Sequence, residues 1–281
     1  MTMELPRLVA TGLRVELEKK AIIPGLDFAV RRGLFTAIVG PNGCGKSTLL
    51  RTLIKLLIPA EGQVELDGRD IRRRSARDIA TQVALLPQSA IAPNGISVRD
   101  LVARGRYPHQ GLLRQWSRAD ENAVNGALAA TGMDEFADRL VEELSGGQRQ
   151  RVWVAMVLAQ QTDIALLDEP TTFLDISHQY SLLQLVRELV STQGRTVVAV
   201  LHDLQQAARY ADHLVVMKDG SIVAEGAPRT VLTPELVTEV FGIACRLIND
   251  EVTGAVIVVP DALPRPDVSM ISSLSRAAEA G

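Results

Sequence analysis

The sequence predicts an α/β fold with a mostly parallel sheet, an antiparallel β edge and an inserted α-helical lobe, and three observations carry that prediction. Apolar runs without alternation, Phe35 to Val39, Ile164 to Leu167 and Thr196 to Leu201, have the pattern of parallel strands buried on both faces. Each run is followed by a residue that packing does not ask for, Gly40, Asp168 and His202 respectively. These residues therefore collect at the carboxyl ends of strands, where open α/β sheets bind ligands. Two Asp-Gly pairs, Asp67-Gly68 and Asp219-Gly220, lie between strand-like runs and tolerate the positive φ of tight hairpins, which marks antiparallel edges.

Helices fit between the strands. Ser47 to Leu57 reads as an apolar helix stopped before Pro59, and Ser177 as the cap of a helix with Leu182, Leu185, Val186 and Leu189 on one face, closed by Gly194. The stretch from Ser97 to Gly132 differs. Ser117 with Asp120 three residues on forms a capping box ahead of an alanine-rich helix, which predicts a helical lobe inserted between strands. After Pro234 a helix through Val240 leads to Cys245 to Ile248 and Ala255 to Val259, a terminal strand pair. The expected organisation is one domain over residues 1–234 with the lobe at about 90–160, a helix and strand-pair extension over 235–260, and a loose tail rich in Pro, Ser and Ala over 261–281.

Composition narrows the function. With 281 residues and 47% apolar side chains the chain has material for a real core. A net charge of −3 gives no general affinity for nucleic acid, and the only basic run, Arg72 to Arg74, reads as a solvated turn. No apolar stretch approaches the roughly twenty residues of a membrane-spanning helix, and the first thirty residues lack an export signal, so the expected location is the cytosol. Cys44 and Cys245 have no metal-ligand spacing and no disulfide framework.

Two glycine-rich segments carry the chemistry. Gly40, Pro41, Asn42, Gly43, Cys44, Gly45, Lys46 and Ser47 satisfy the pattern G-x-x-x-x-G-K-[ST] between a buried strand and a helix, and Thr48 follows as a further candidate nucleotide contact. The glycines let backbone amides wrap phosphates, Lys46 sets a cation against the β and γ oxygens, and Ser47 offers its hydroxyl to Mg²⁺. Ser145, Gly146, Gly147 and Gln148, within Leu144 to Arg151, leave amides uncovered at a helix start, where the dipole favours an anion. Asp168 is placed to hold the metal, and Glu169 beside it to take a proton from attacking water. His202 is placed to reach a γ-phosphate oxygen or that water, and Gln88 to reach Mg²⁺ and water from the junction with the lobe. Cys44 reads as a small residue filling the loop; the alternative is that phosphate-loop amides and Lys46 lower its pKa and make it a target for alkylation that ATP blocks.

In this order the motifs resemble the ATP-binding subunits of ABC transporters from about Leu8 to Val231. The resemblance implies a P-loop NTPase core and ATP hydrolysis. It implies two copies packed head to tail, with Ser145 and Gly147 of one copy facing the γ-phosphate held by Lys46 of the other and Asp175 in the adjoining turn. The segments Ala103 to Gln110, Thr171 to His178 and His202 to Leu204 are similar to the ATPases of ferric-siderophore importers, with cobalamin and haem importers sharing much of this. The implied partners are integral membrane permease subunits, reached through the lobe, and indirectly an external siderophore-binding protein. The implied location is peripheral, at the cytoplasmic face of the inner membrane. A soluble ABC ATPase acting on nucleic acid is the competing reading, but the paired modules, coiled coils or zinc cysteines of such relatives are missing here.

One position departs from the family. An aromatic side chain before the phosphate loop stacks on adenine in much of it, and Arg14 to Lys20 offers only Leu17. Stacking of a base on an aromatic ring is worth roughly 1 to 3 kcal/mol. Competition binding is therefore expected to show weaker discrimination of ATP from GTP than in relatives with the aromatic, and a strong preference for ATP would overturn this.

Overall fold

A computed structural model of the chain describes residues 6–111 and 116–261. The loose tail expected beyond Asp261 lies outside them. The chain opens with β1 (Leu8–Leu17), β2 (Lys20–Ile23) and β3 (Phe28–Val30), and β4 (Phe35–Val39) then runs into α1 (Lys46–Leu53). Next come β5 (Glu61–Leu66), β6 (Arg69–Asp70), α2 (Ala76–Ala80) and β7 (Val83–Leu86). Helices α3 (Val98–Ala103), α4 (Arg118–Ala130) and α5 (Gly146–Ala159) follow without an intervening strand. The pattern β8 (Ile164–Asp168), α6 (Ile176–Gln193), β9 (Thr196–Val200), α7 (Leu204–Tyr210) and β10 (His213–Lys218) then restores alternation. The described chain closes with β11 (Ser221–Gly226), α8 (Pro228–Val231), α9 (Pro234–Phe241) and the hairpin of β12 (Cys245–Asn249) with β13 (Val256–Pro260).

The main sheet has the order β11-β10-β4-β9-β8-β7, parallel except for β11. Its central strands alternate between two buried faces. Ile38, Val198, Val200, Val215 and Met217 pack toward α1 and the antiparallel sheet formed by β1, β2, β3, β5 and β6. Ala37, Val39, Val197, Ala199, Leu214 and Val216 pack toward α6, α7 and α9. Removing both faces from water is why these strands lack polar alternation. Both Asp-Gly pairs turn hairpins, β5 to β6 and β10 to β11, with Asp67 and Asp219 at positive φ.

A third apolar core, from Ile96 to Ala159, belongs to the three-helix segment. Ser117 caps α4 through a full capping box with Asp120. Asp120 is fully buried and accepts from the Arg106 Nε at 2.9 Å, while the Arg106 Nη1 donates to the carbonyl of Ala159 at 2.8 Å. One guanidinium thus ties the start of α4 to the end of α5. Two local expectations need correction. The first helix runs only Lys46–Leu53, because Lys55 turns to positive φ. The cap of α6 is Asp175, not Ser177, since the Asp175 carboxylate accepts from the His178 amide at 3.0 Å and Ser177 is already in the first turn.

The Ser117 hydroxyl, together with Arg106, holds the Asp120 carboxyl down at about 2, below its ordinary value near 4. A lowered pKa in the folded chain stabilises it above about pH 4, and that contribution is lost as pH falls through about 2. Asp120→Asn is expected to cost about 3 kcal/mol near neutral pH, since it leaves a buried guanidinium without its counter-charge. In thermal melts the gap between wild type and variant should be constant above about pH 5 and close between about pH 4 and pH 2; a gap independent of pH would refute the assignment.

Candidate functional site

The residues after β4, β8 and β9 meet at one edge of the main sheet, and the loop from Gly40 to Gly45 is shaped by its glycines. A Cβ on Gly40 would collide with the carbonyl oxygen of Met217 in the neighbouring β10. Gly45 caps α1 at φ 100°, with no side chain covering the helix's first amides and no acid in its first turn. The positive end of α1 therefore faces the loop. Lys46 is only 5% exposed, and its ammonium curls back to donate to the carbonyls of Gly40 and Pro41, both at 2.8 Å.

Ser47 Oγ donates to Asp168 Oδ1 at 2.8 Å and ties α1 to the end of β8. Asp168 is buried, and its other oxygen, Oδ2, has no hydrogen-bond partner among the described residues. Burial pushes the Asp168 carboxyl up, and the adjacent Glu169 adds to this against the pull of the Ser47 hydroxyl and of Arg51 and Lys46. An orphaned, buried carboxylate oxygen next to a serine hydroxyl is a donor set for a hard cation. Glu169 follows with Oε1 at 2.7 Å from His202 Nε2 and Oε2 accepting from Thr172 Oγ1 at 3.3 Å.

Asn42, Gly43, Gly45, Lys46, Ser47, Thr48, Gln88, Glu169 and His202 line one cleft of about 440 Å³, joined by Leu17 and Ile22. Gly40, Pro41 and Cys44 form the loop behind it, and Asp168 stands behind Ser47. Ser145, Gly146, Gly147, Gln148 and Asp175 do not line this cleft. Ser145 and Gln148 form a capping box at the start of α5, with Gly146 and Gly147 beside Phe173 and Leu174, and Asp175 caps α6. The sequence reading missed Ile22 and Thr172. Ile22 follows a hairpin turn built on Glu18 and Lys19 at positive φ, which carry none of the usual turn residues.

The activated alternative for Cys44 is overturned, and the thiol is a buried part of the loop. The thiol is 5% exposed, and burial raises its pKa despite Lys46, whose nitrogen is 3.8 Å from Sγ. An ammonium already shared between two carbonyls cannot offset the loss of water around a thiolate. Iodoacetamide at about pH 8 should therefore leave Cys44 unlabelled in the folded chain, with or without ATP, and label it on denaturation. Peptide-level mass spectrometry reads this directly, and rapid labelling of the folded chain would contradict it.

Known proteins resemble this chain over most of its length. The family profile described as ABC transporter matches residues 23–172. The chain is 52% identical over 260 residues to the ferric enterobactin transport ATP-binding protein FepC of Escherichia coli, covering 92% of this chain and 96% of that protein. It is 51% identical to the siderophore transport system ATP-binding protein YusV of Bacillus subtilis, covering 85% and 87%. It is also 51% identical to the petrobactin import ATP-binding protein FpuD of Bacillus anthracis, covering 85% and 88%. Among solved structures it resembles a chain of an ABC transporter described as of metal-chelate type in an inward-facing conformation, with a TM-score of 0.78, 28% identity, and coverage of 92% and 98%. A dimeric ATP-binding cassette in a post-hydrolysis state with ADP and Pi matches with a TM-score of 0.71 and 25% identity, covering 79% and 99%.

Proposed function

Since this chain belongs to the ABC transporter family as an ATP-binding and ATP-hydrolysing subunit, we propose that it is the motor of an importer for ferric siderophores. The observation that carries the substrate class is identity of about half the residues, over nearly full length, with ATP-binding proteins named for siderophore transport. The phosphoryl-transfer reading rests on the cleft. There the amides after Gly40 and the Lys46 ammonium hold the phosphates, with Lys46 leaving its own loop carbonyls to do so.

Ser47 and Asp168 are the residues that would hold Mg²⁺, with Gln88 reaching the same side of the cleft. That ion supplies charge neutralisation on the phosphate oxygens. Glu169 accepts a proton from water as the water oxygen bonds to the γ-phosphorus and the bond to the β–γ bridging oxygen breaks, releasing ADP and phosphate. His202 keeps the carboxylate turned toward the cleft. Glu169 rather than Asp168 meets that water, because Glu169 lines the cleft while Asp168 is buried behind Ser47.

A second copy completes this reading. Ser145, Gly146, Gly147 and Gln148 form a positively polarised helix start outside their own chain's cleft; the capping box occupies the Ser145 and Gln148 amides, and a head-to-tail partner brings this helix start, with Gly146 and Gly147 between them, to the other copy's γ-phosphate, beside Asp175. Residues 1–234 then act as the ATPase domain, the lobe at about 90–160 engages the integral membrane permease, and residues 235–260 form the extension. Among the described residues no helix is long and apolar enough to cross a membrane. In this reading attachment to the cytoplasmic face of the inner membrane is peripheral, through the permease, and an external siderophore-binding protein is an indirect partner.

The test is uptake of radiolabelled ferric siderophore by iron-starved cells lacking the gene, rescued with wild type or with Glu169→Gln. Uptake restored by wild type alone is expected, with the purified variant binding ATP while turnover falls by about a hundredfold or more. Normal uptake without the gene, in cells with no redundant importer, redirects the assignment to cobalamin or haem. Undiminished hydrolysis by Glu169→Gln removes Glu169 from its role.

A further inference from the structure

Glu169 has φ 54° and is followed by Pro170. Residues before proline are pushed toward extended backbone, and residues other than glycine rarely enter the left-handed region. Such a conformation persists only where its surroundings over-determine it. The Thr172 amide donates to the Glu169 carbonyl at 3.3 Å. Gln150 of α5 donates to the carbonyl of Pro170 at 3.1 Å, and Gln179 of α6 donates to the carbonyls of Thr171 and Leu174 at 3.3 and 3.0 Å. Gln206 of α7, itself buried, donates to the side-chain oxygen of Gln179 at 2.7 Å. Amide side chains from two helices thus hold a loop of five residues, with a third helix bracing one of them, and the hydroxyl of Thr172 comes to rest on Glu169 Oε2.

With His202 on Oε1 and Thr172 on Oε2, both oxygens of the carboxylate are held and its plane cannot turn freely. We propose that Thr172 is a positioning residue for ATP hydrolysis, which fixes the Glu169 carboxylate plane so that one lone pair faces the attacking water. The inference rests on the reading of Glu169 as general base. His202 alone leaves rotation about the axis through Oε1, and the Thr172 hydroxyl removes it.

Steady-state hydrolysis by the full chain tests this with Thr172→Val, which keeps the branched shape and drops the hydroxyl, and Thr172→Ser, which keeps the hydroxyl. Hydrogen bonds to charged groups are among the stronger ones, so Thr172→Val is expected to lower kcat about tenfold with KM for ATP within about twofold. Thr172→Ser should stay within about twofold of wild type, and Thr172→Ala, which asks for no new space, should match Thr172→Val even if the valine disturbs folding. Valine and alanine variants with wild-type kcat, or a serine variant as slow as the valine one, overturn the proposal. Glu169→Gln in the same assay separates the two ideas. Wild-type turnover there removes the general base itself, whereas loss there with an unaffected Thr172→Val removes only the role of Thr172.

Discussion

Alignment of the three central strands is the constraint on which the cleft depends. Val200 pairs with Ile38 on one side and with Asp168 on the other, so these residues form a row across β4, β9 and β8. Two residues past that row β4 delivers Gly40 and β9 delivers His202, while β8 delivers Glu169 after one. Strands about 4.8 Å apart put these chain ends within roughly 10 Å of each other, inside the reach of side chains. A slip of one residue in β8 would exchange its buried faces and carry Asp168 away from Ser47. The packing that prevents it is the alternation itself, with Ile164 and Leu166 directed to one core and Leu167 to the other.

Much of this was legible in the sequence because the cues are local. A buried strand, a glycine-rich turn and a helix start occupy consecutive residues, and the special residues after β4, β8 and β9 stand out against apolar runs. What was not legible depends on partners distant in sequence. Ile22 reaches the cleft only because β2 folds back on β1. The alternative of a Cys44 activated by a neighbouring cation fails because the thiol is buried in a core built from strands distant in sequence, and that burial raises its pKa although Lys46 lowers it. The cap of α6 went to Asp175 over Ser177 for a subtler reason. Both residue types cap well, and only the preceding turn decides which of them stands at extended φ and ψ.

Electrostatics within the cleft are asymmetric. The Lys46 ammonium is satisfied by two carbonyls, so it is stable where it lies yet exchangeable for better acceptors. Asp168 has one oxygen satisfied by Ser47 and one left over, in a place where an unpaired acceptor costs about 1 to 3 kcal/mol. Cations and phosphates are thus favoured by different residues of one loop and strand end. Ser47 stands between them, on α1 and against Asp168.

Helix α5 connects this chemistry to the lobe. Val152, Ala155 and Ala159 belong to the lobe core, whereas Val154 and Val157 belong to the core beneath the main sheet. Its first turn is the Ser145 to Gln148 capping box, and one residue later Arg149 and Gln150 continue the helix toward the bracket around Glu169. A helix that is apolar on two faces cannot be displaced with the lobe without disturbing the other core. Because Gln150 holds the Pro170 carbonyl, such a displacement also reaches the residue next to Glu169 directly. The helix that presents Ser145 is in this way joined to its own chain's Glu169 through Gln150, the Pro170 carbonyl and the Thr172 hydroxyl, so the lobe core and the bracket around that carboxylate share one helix.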